Sequence, residues 1–96
     1  MAVEHIVWVK FNDDVTTEKK NELVQALKSL ESKVPGITRF TIGDNFTDRA
    51  KGCQVGFVVT LESKEALAVY ANHPEHVKVA TQLKANAELM ALDYEF

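Results

Sequence analysis

The sequence predicts an α+β domain with a four-stranded antiparallel sheet, on three observations. Apolar periodicity along the 96 residues runs strand-helix-strand-strand-helix-helix-strand. A single amphipathic stripe of about five turns separates the first strand from the second. Two of the strands are apolar on both faces, so neither side of the sheet is built for water alone. This order is a split βαβ arrangement of the ferredoxin-like kind.

The first strand spans Ala2 to Phe11. Val3, His5, Val7, Val9 and Phe11 share one face, and Glu4, Ile6, Trp8 and Lys10 share the other. Asn12-Asp13-Asp14 turns the chain, and Thr16 or Thr17 is placed to cap a helix whose first turn holds Glu18. Leu23, Ala26, Leu27, Leu30 and Val34 form its apolar stripe, and Pro35-Gly36 ends it. A second strand follows over Ile37 to Ile42, then a polar loop from Gly43 to Gly52. The third strand, Val55 to Leu61, sets Val55, Phe57, Val59 and Leu61 opposite the small residues Gly56, Val58 and Thr60.

Ser63 caps a short helix over Lys64 to Ala71, with Leu67, Tyr70 and Ala71 as its expected buried stripe. His73 before Pro74 stops it, and Pro74 suits the first position of another helix. Val77, Ala80, Leu83 and Ala87 continue at helical spacing. Met90, Leu92, Tyr94 and Phe96 then alternate with Ala91, Asp93 and Glu95 as a closing strand. Helices on one side of an antiparallel sheet cover one face only. The uncovered face calls for a second copy packed sheet to sheet, a homodimer with a barrel-like interior.

Composition narrows the function classes. The chain is 46% hydrophobic and 26% charged, with a net charge of −3 and the two signs interleaved. No basic stripe is available to follow a phosphate backbone, which argues against a nucleic-acid partner. No apolar run reaches the roughly 18 residues needed to span a bilayer. The start of the chain lacks the basic-then-apolar pattern of a signal peptide. Cys53 is the one cysteine and fits a buried strand-edge thiol better than a nucleophile, so a cytoplasmic setting is expected. Gly43 and Gly52 bracket a loop without making a phosphate-binding pattern.

Chemistry concentrates in Tyr70-Ala71-Asn72-His73-Pro74-Glu75-His76-Val77. His73 and His76 have the spacing of a metal pair, but Pro74 sets them in different directions, and there is no H-E-x-x-H motif or cysteine pair to add ligands. A second reading is acid–base work, with the His76 imidazole taking a proton next to a carbonyl that the Tyr70 hydroxyl polarises. A third makes the run a helix-to-helix corner in which an imidazole ties down a backbone carbonyl and Tyr70 is core. His5 is the one polar side chain between apolar neighbours on its strand face, either a pocket group or a half-wet strand end.

Val3 to Phe11, Val34-Pro35-Gly36-Ile37, Leu61 to Leu67, the H-P-x-H-V run ending at Val77, and Leu92-Asp93-Tyr94-Glu95-Phe96 together resemble the stress-responsive A/B barrel (Dabb) family over nearly the whole chain. The resemblance implies a dimeric α/β barrel of two ferredoxin-like halves. It implies one of two roles. The first is a cofactor-free cyclase or lyase acting on a polyketide-like or other small carbonyl compound, in a hydrophobic pocket. The second is a non-catalytic stress-response dimer or larger oligomer that binds apolar ligands. By motif position, the resemblance assigns His76 as base and Tyr70 as its assistant, with His5 and His73 in substrate binding. Two positions depart from the family's polyketide cyclase: Leu27 stands where it has a tyrosine and Val55 where it has a histidine, so the pocket here is more apolar. Some relatives hold a structural magnesium ion on carbonyls at the end of the first helix, which corresponds to Glu31 to Ile37.

Overall fold

The computed structural model describes residues 1–96. Strand β1 (Val3–Phe11) is followed by helix α1 (Thr17–Lys33), strands β2 (Ile37–Asp44) and β3 (Val55–Leu61), helices α2 (Lys64–Asn72) and α3 (Pro74–Asn86), and strand β4 (Ala87–Glu95). The sheet order is β2-β3-β1-β4 with every pair antiparallel, the ferredoxin-like topology that the element order predicts. β1 lies between β3 and β4, so its alternation dictates both layers. Its odd-numbered positions join the core beneath the helices, where Val3, Val7, Val9 and Phe11 meet Phe57, Val59 and Leu61 of β3 and Leu23, Leu27 and Leu30 of α1.

Local chemistry explains the boundaries. Thr16, rather than Thr17, caps α1 by accepting the Lys19 N–H at 3.1 Å. The Val34 N–H closes the last turn on the Leu30 carbonyl at 3.0 Å. Gly36 then takes φ +88°, a region that costs an L-residue energy. β2 runs two residues past the expected Ile42, to Asp44, because β3 offers a ladder partner as far as Val55. A register shift between Ile37 and Arg39 makes a bulge at Thr38. Ser63 caps α2 through the Ala66 N–H at 3.1 Å.

Three expectations are corrected. In α2, Ala66 and Tyr70 are buried while Ala71 faces solvent, because the helix lies against the sheet one position round from the expected stripe. In α3, Val79 packs against the core and Val77 is exposed. Ala87 is not the last residue of a helical stripe. Its φ of −156° and ψ of 157° are extended, and β4 starts there, opposite Phe11, with no intervening loop. The spacing Leu83–Ala87 fits a helix and Ala87–Leu89–Ala91 fits a strand. The β1 ladder decides between them, helped by the Asn12 N–H on the Asn86 carbonyl at 2.8 Å.

The face of the sheet formed by the even-numbered positions of β1, β3 and β4 carries no helix. Trp8, Met90, Leu92, Tyr94 and Phe96 all stand exposed there or at its end. An antiparallel sheet that faces water ordinarily alternates to polar residues on that side, and this one does not. No helix is long and apolar enough to cross a membrane.

The Gly36 turn yields a test. A Cβ built at this residue would lie 2.9 Å from the Ala66 Cβ, on top of the positive φ. Gly36→Ala should cost about 2 kcal/mol, strain and overpacking together. A denaturant midpoint unchanged from wild type would show that the turn and the α2 contact are not as tight as described.

Candidate active site

The site is built where β1, β4, α2 and α3 converge. Because Pro74 has no N–H to continue α2, the chain breaks at His73, which is extended (φ −65°, ψ 134°) and serves as the end of α2 and the cap of α3. The Nδ1 of His73 accepts the Glu75 N–H at 3.1 Å. The break leaves the Ala71 carbonyl without a helical partner. His76 supplies one: its Nδ1 lies 3.1 Å from the Ala71 oxygen. A carbonyl only accepts, so Nδ1 carries the proton and Nε2 keeps its lone pair. Burial holds the imidazole below its usual pKa; the Ala71 contact opposes this, and the charges of His5, Lys84 and His73 add to the lowering.

Tyr70, from the last turns of α2, is 1% exposed and its ring lies 4.2 Å from that of His76, tilted by 42°. Its hydroxyl is buried with no hydrogen-bond partner. An unsatisfied buried hydroxyl is costly. The same desolvation pushes the phenol up to about 12, so it remains a proton donor throughout the physiological range.

His5 closes the other side. Its ring meets Tyr70 edge-on at 5.7 Å and Phe57 at 6.5 Å. The β1–β4 register sets Asp93 directly opposite, and the two side chains hydrogen-bond through His5 Nδ1 and Asp93 Oδ1. This fixes the tautomer and orientation of a second imidazole. His5 and His76 both line a cavity of about 270 Å³ whose other walls are mainly apolar, among them Val7, Leu27, Phe57, Leu83 and Leu89, with Lys84 at its edge.

Three of the four residues singled out in the sequence, His5, Tyr70 and His76, are therefore brought together. Neither Tyr70 nor His73 is among the cavity-lining residues: Tyr70 belongs to the core and packs behind the His5 and His76 rings, and His73 Nδ1 is engaged in the cap. The corner reading and the acid–base reading coexist in one side chain, since His76 ties down a carbonyl with one nitrogen and leaves the other available. Sequence reasoning missed Asp93 and Lys84. Asp93 could have been found from the alternation Leu89, Ala91, Asp93, which places a carboxyl on the core side of the strand. Lys84 follows Leu83 on α3, and nothing in its spacing marks it. Cys53 is buried and free, as expected. No group of three or more His, Cys, Asp or Glu side chains has an arrangement that could hold a metal ion. At the end of α1 the Gly36 carbonyl accepts the Glu62 N–H at 3.1 Å.

Tyr70→Phe removes the orphan hydroxyl and should leave the ligand-free protein as stable as wild type or up to about 1 kcal/mol more stable at pH 7. In wild type the phenol titrates near 10 when unfolded and about 12 when folded. The unfolded chain thus loses its proton first, and the stability tied to the neutral phenol, complete below about pH 10, falls as pH rises through 12. The variant should lack this alkaline loss in a thermal-melt series. A destabilised Tyr70→Phe protein would mean the hydroxyl has a partner.

Comparison with known proteins agrees with this architecture. The Stress Responsive A/B Barrel Domain model matches residues 3–96. The stress-response A/B barrel domain-containing protein HS1 of Arabidopsis thaliana is 31% identical over 97% of this chain and 88% of its own. Olivetolic acid cyclase of Cannabis sativa is 30% identical over 98% of this chain and 96% of its own. A dimeric protein of ferredoxin-like fold from Bacteroides fragilis, 30% identical, superposes with a TM-score of 0.83 over 99% of this chain and 96% of its own. The residues matched span both the H-P-x-H corner and the histidine of the first strand, and the chain belongs to the stress-responsive A/B barrel (Dabb) family.

Proposed function

We propose that this protein is a cofactor-independent cyclase or lyase that moves a proton next to the carbonyl of a small, largely apolar compound, and that it works as a homodimer. The observation that carries the reading is the unpartnered Tyr70 hydroxyl, buried beside an imidazole whose Nδ1 is already committed to Ala71. A carbonyl oxygen that reaches Tyr70 between the His5 and His76 rings, which pack against it, satisfies that hydroxyl. Nε2 of His76 takes the proton from the adjacent carbon, and Tyr70 stabilises the enolate oxygen that forms. The enolate carbon then attacks a second carbonyl or expels a leaving group, and the imidazolium returns the proton. Depression of the His76 pKa keeps the base neutral near pH 7, and elevation of the Tyr70 pKa keeps the donor protonated. His5, held by Asp93, orients the substrate from the opposite wall. Similarity to olivetolic acid cyclase supports the carbonyl chemistry. Leu27, on the cavity wall, makes a different substrate from that enzyme's the better expectation.

A second reading, a non-catalytic stress-response dimer or larger oligomer that binds apolar ligands, is favoured by the similarity to HS1 and by the apolar walls. Proton exchange separates the two without knowledge of the substrate. Wild type should accelerate exchange of the protons next to the ketone of 4-oxo-4-phenylbutanoate in D2O, followed by NMR. His76→Ala should lower the rate by about 10²–10⁴-fold, the usual worth of a positioned base. The rate should rise with pH to a midpoint below the usual 6.5 of histidine and stay flat to beyond pH 10. Exchange at the buffer rate with wild type and variant alike would select the non-catalytic reading.

The homodimer rests on the uncovered face. Trp8, Met90, Leu92, Tyr94 and Phe96 form an apolar surface of the kind that marks an interface, and the Bacteroides fragilis neighbour is dimeric. Sedimentation should give twice the chain mass of 10.7 kDa at micromolar concentration. Leu92→Lys should shift it to one chain while leaving the helical signal intact. A wild-type mass of a single chain would refute sheet-to-sheet pairing.

A further inference from the structure

Lys84 is the one cationic side chain on a cavity wall that is otherwise apolar apart from the two histidines. It makes no ion pair: the salt bridges of the chain join His5 to Asp93, Lys19 to Glu22, Lys64 to Glu95 and Lys78 to Glu75. Asp93, the carboxylate that holds His5, has its carboxyl engaged there. Lys84 is exposed, whereas Leu83 beside it is buried, so α3 sets the ammonium group where the cavity meets solvent. Its charge is felt inside, since it is among the groups that lower the pKa of His76.

We infer that Lys84 selects an anionic ligand: a small carbonyl compound bearing a carboxylate, with the carboxylate on Lys84 at the rim, the apolar body against Leu27, Phe57 and Leu89, and the carbonyl beside His76. The cavity sets the size. A volume of about 270 Å³ is that of roughly nine waters, which suits a ligand of about ten to thirteen non-hydrogen atoms. An apolar wall with one charged group at the mouth distinguishes a keto acid from a neutral ketone of equal size, because the neutral compound leaves the ammonium hydrated and gains nothing from it. The alternative role for Lys84 is packing, its methylene stem shielding the cavity edge while the ammonium stays in water. That role carries no preference for charge.

The inference rests on the pocket being the ligand site, as proposed above, but not on the reaction. A matched pair of probes tests it: 4-oxo-4-phenylbutanoate and its primary amide, equal in non-hydrogen atoms and differing in charge. Calorimetric titration of wild type should show the carboxylate bound about tenfold tighter than the amide, a ratio that shrinks as salt is added. Lys84→Met should abolish the ratio by weakening the carboxylate alone, and Lys84→Arg should restore most of it. If both probes bind and Lys84→Met leaves their ratio unchanged, Lys84 only packs, and the selection of anions is overturned while the pocket stands. If neither probe binds wild type, the inference and the ligand site fall together. Loss of proton exchange in His76→Ala without any change in the binding ratio leaves the inference standing, since affinity and turnover are read separately.

Discussion

The site depends first on Pro74, whose ring pushes His73 out of the helical region and bends the chain there. In an unbroken rod the Ala71 carbonyl would accept the Glu75 N–H, which here goes to the His73 ring instead. The carbonyl is left over, and an imidazole from the next turn swings back to meet it. That contact sets the tautomer of His76, lays its ring against Tyr70, and helps to bury the phenol so deeply that it has no partner of its own. A single backbone constraint thus brings together both groups of the proposed acid–base pair. Neither has to be charged in the resting protein, so the pocket can be dry and apolar without an unpaired ion inside it.

Much of this was legible in the residues. The alternation of β1 announced a strand with two apolar sides, because Ile6 and Trp8 stand where lysines or glutamates would serve a solvated face. The α1 stripe and its Pro35-Gly36 stop were legible for the same reason: a dominant local period with an unambiguous breaker. The corner was legible as a corner. What was not legible depended on partners far along the chain. Ala87 satisfies helical and strand periods equally, and only the β1 ladder makes it extended. The pairing of His5 with Asp93 spans almost the whole sequence and exists only once the register is known. The faces of α2 and α3 were misplaced by a residue or two, since short helices give few turns from which to fix a stripe. Pro74 tells in sequence that His73 and His76 point apart, but not that the bend sends one to cap a helix and the other into the cavity.

The sheet separates two tasks by parity. On β1, the odd positions from Val3 to Phe11 build the core and bring His5 to the pocket, while Ile6 and Trp8 belong to the face that carries Met90 and Leu92 of β4. The proposed ligand binding and the proposed association therefore use different side chains of the same strand and need not interfere. α3 passes into β4 without a loop, so the helix bearing His76 and Lys84 is joined directly to the strand bearing Asp93 and Leu92.

Parity also sets limits on how such a chain can change over time. Substitutions can tune the pocket or the outer face independently, because each acts on one set of alternating positions. A one-residue insertion or deletion in β1 is different. It turns every subsequent side chain over, carries His5 or its neighbours out of the pocket, and offers the helices a tryptophan in place of a valine. Length drift in descendants of this chain should therefore collect in the polar stretch between Gly43 and Gly52, where β2 and β3 are already paired and no side chain reports to the cavity.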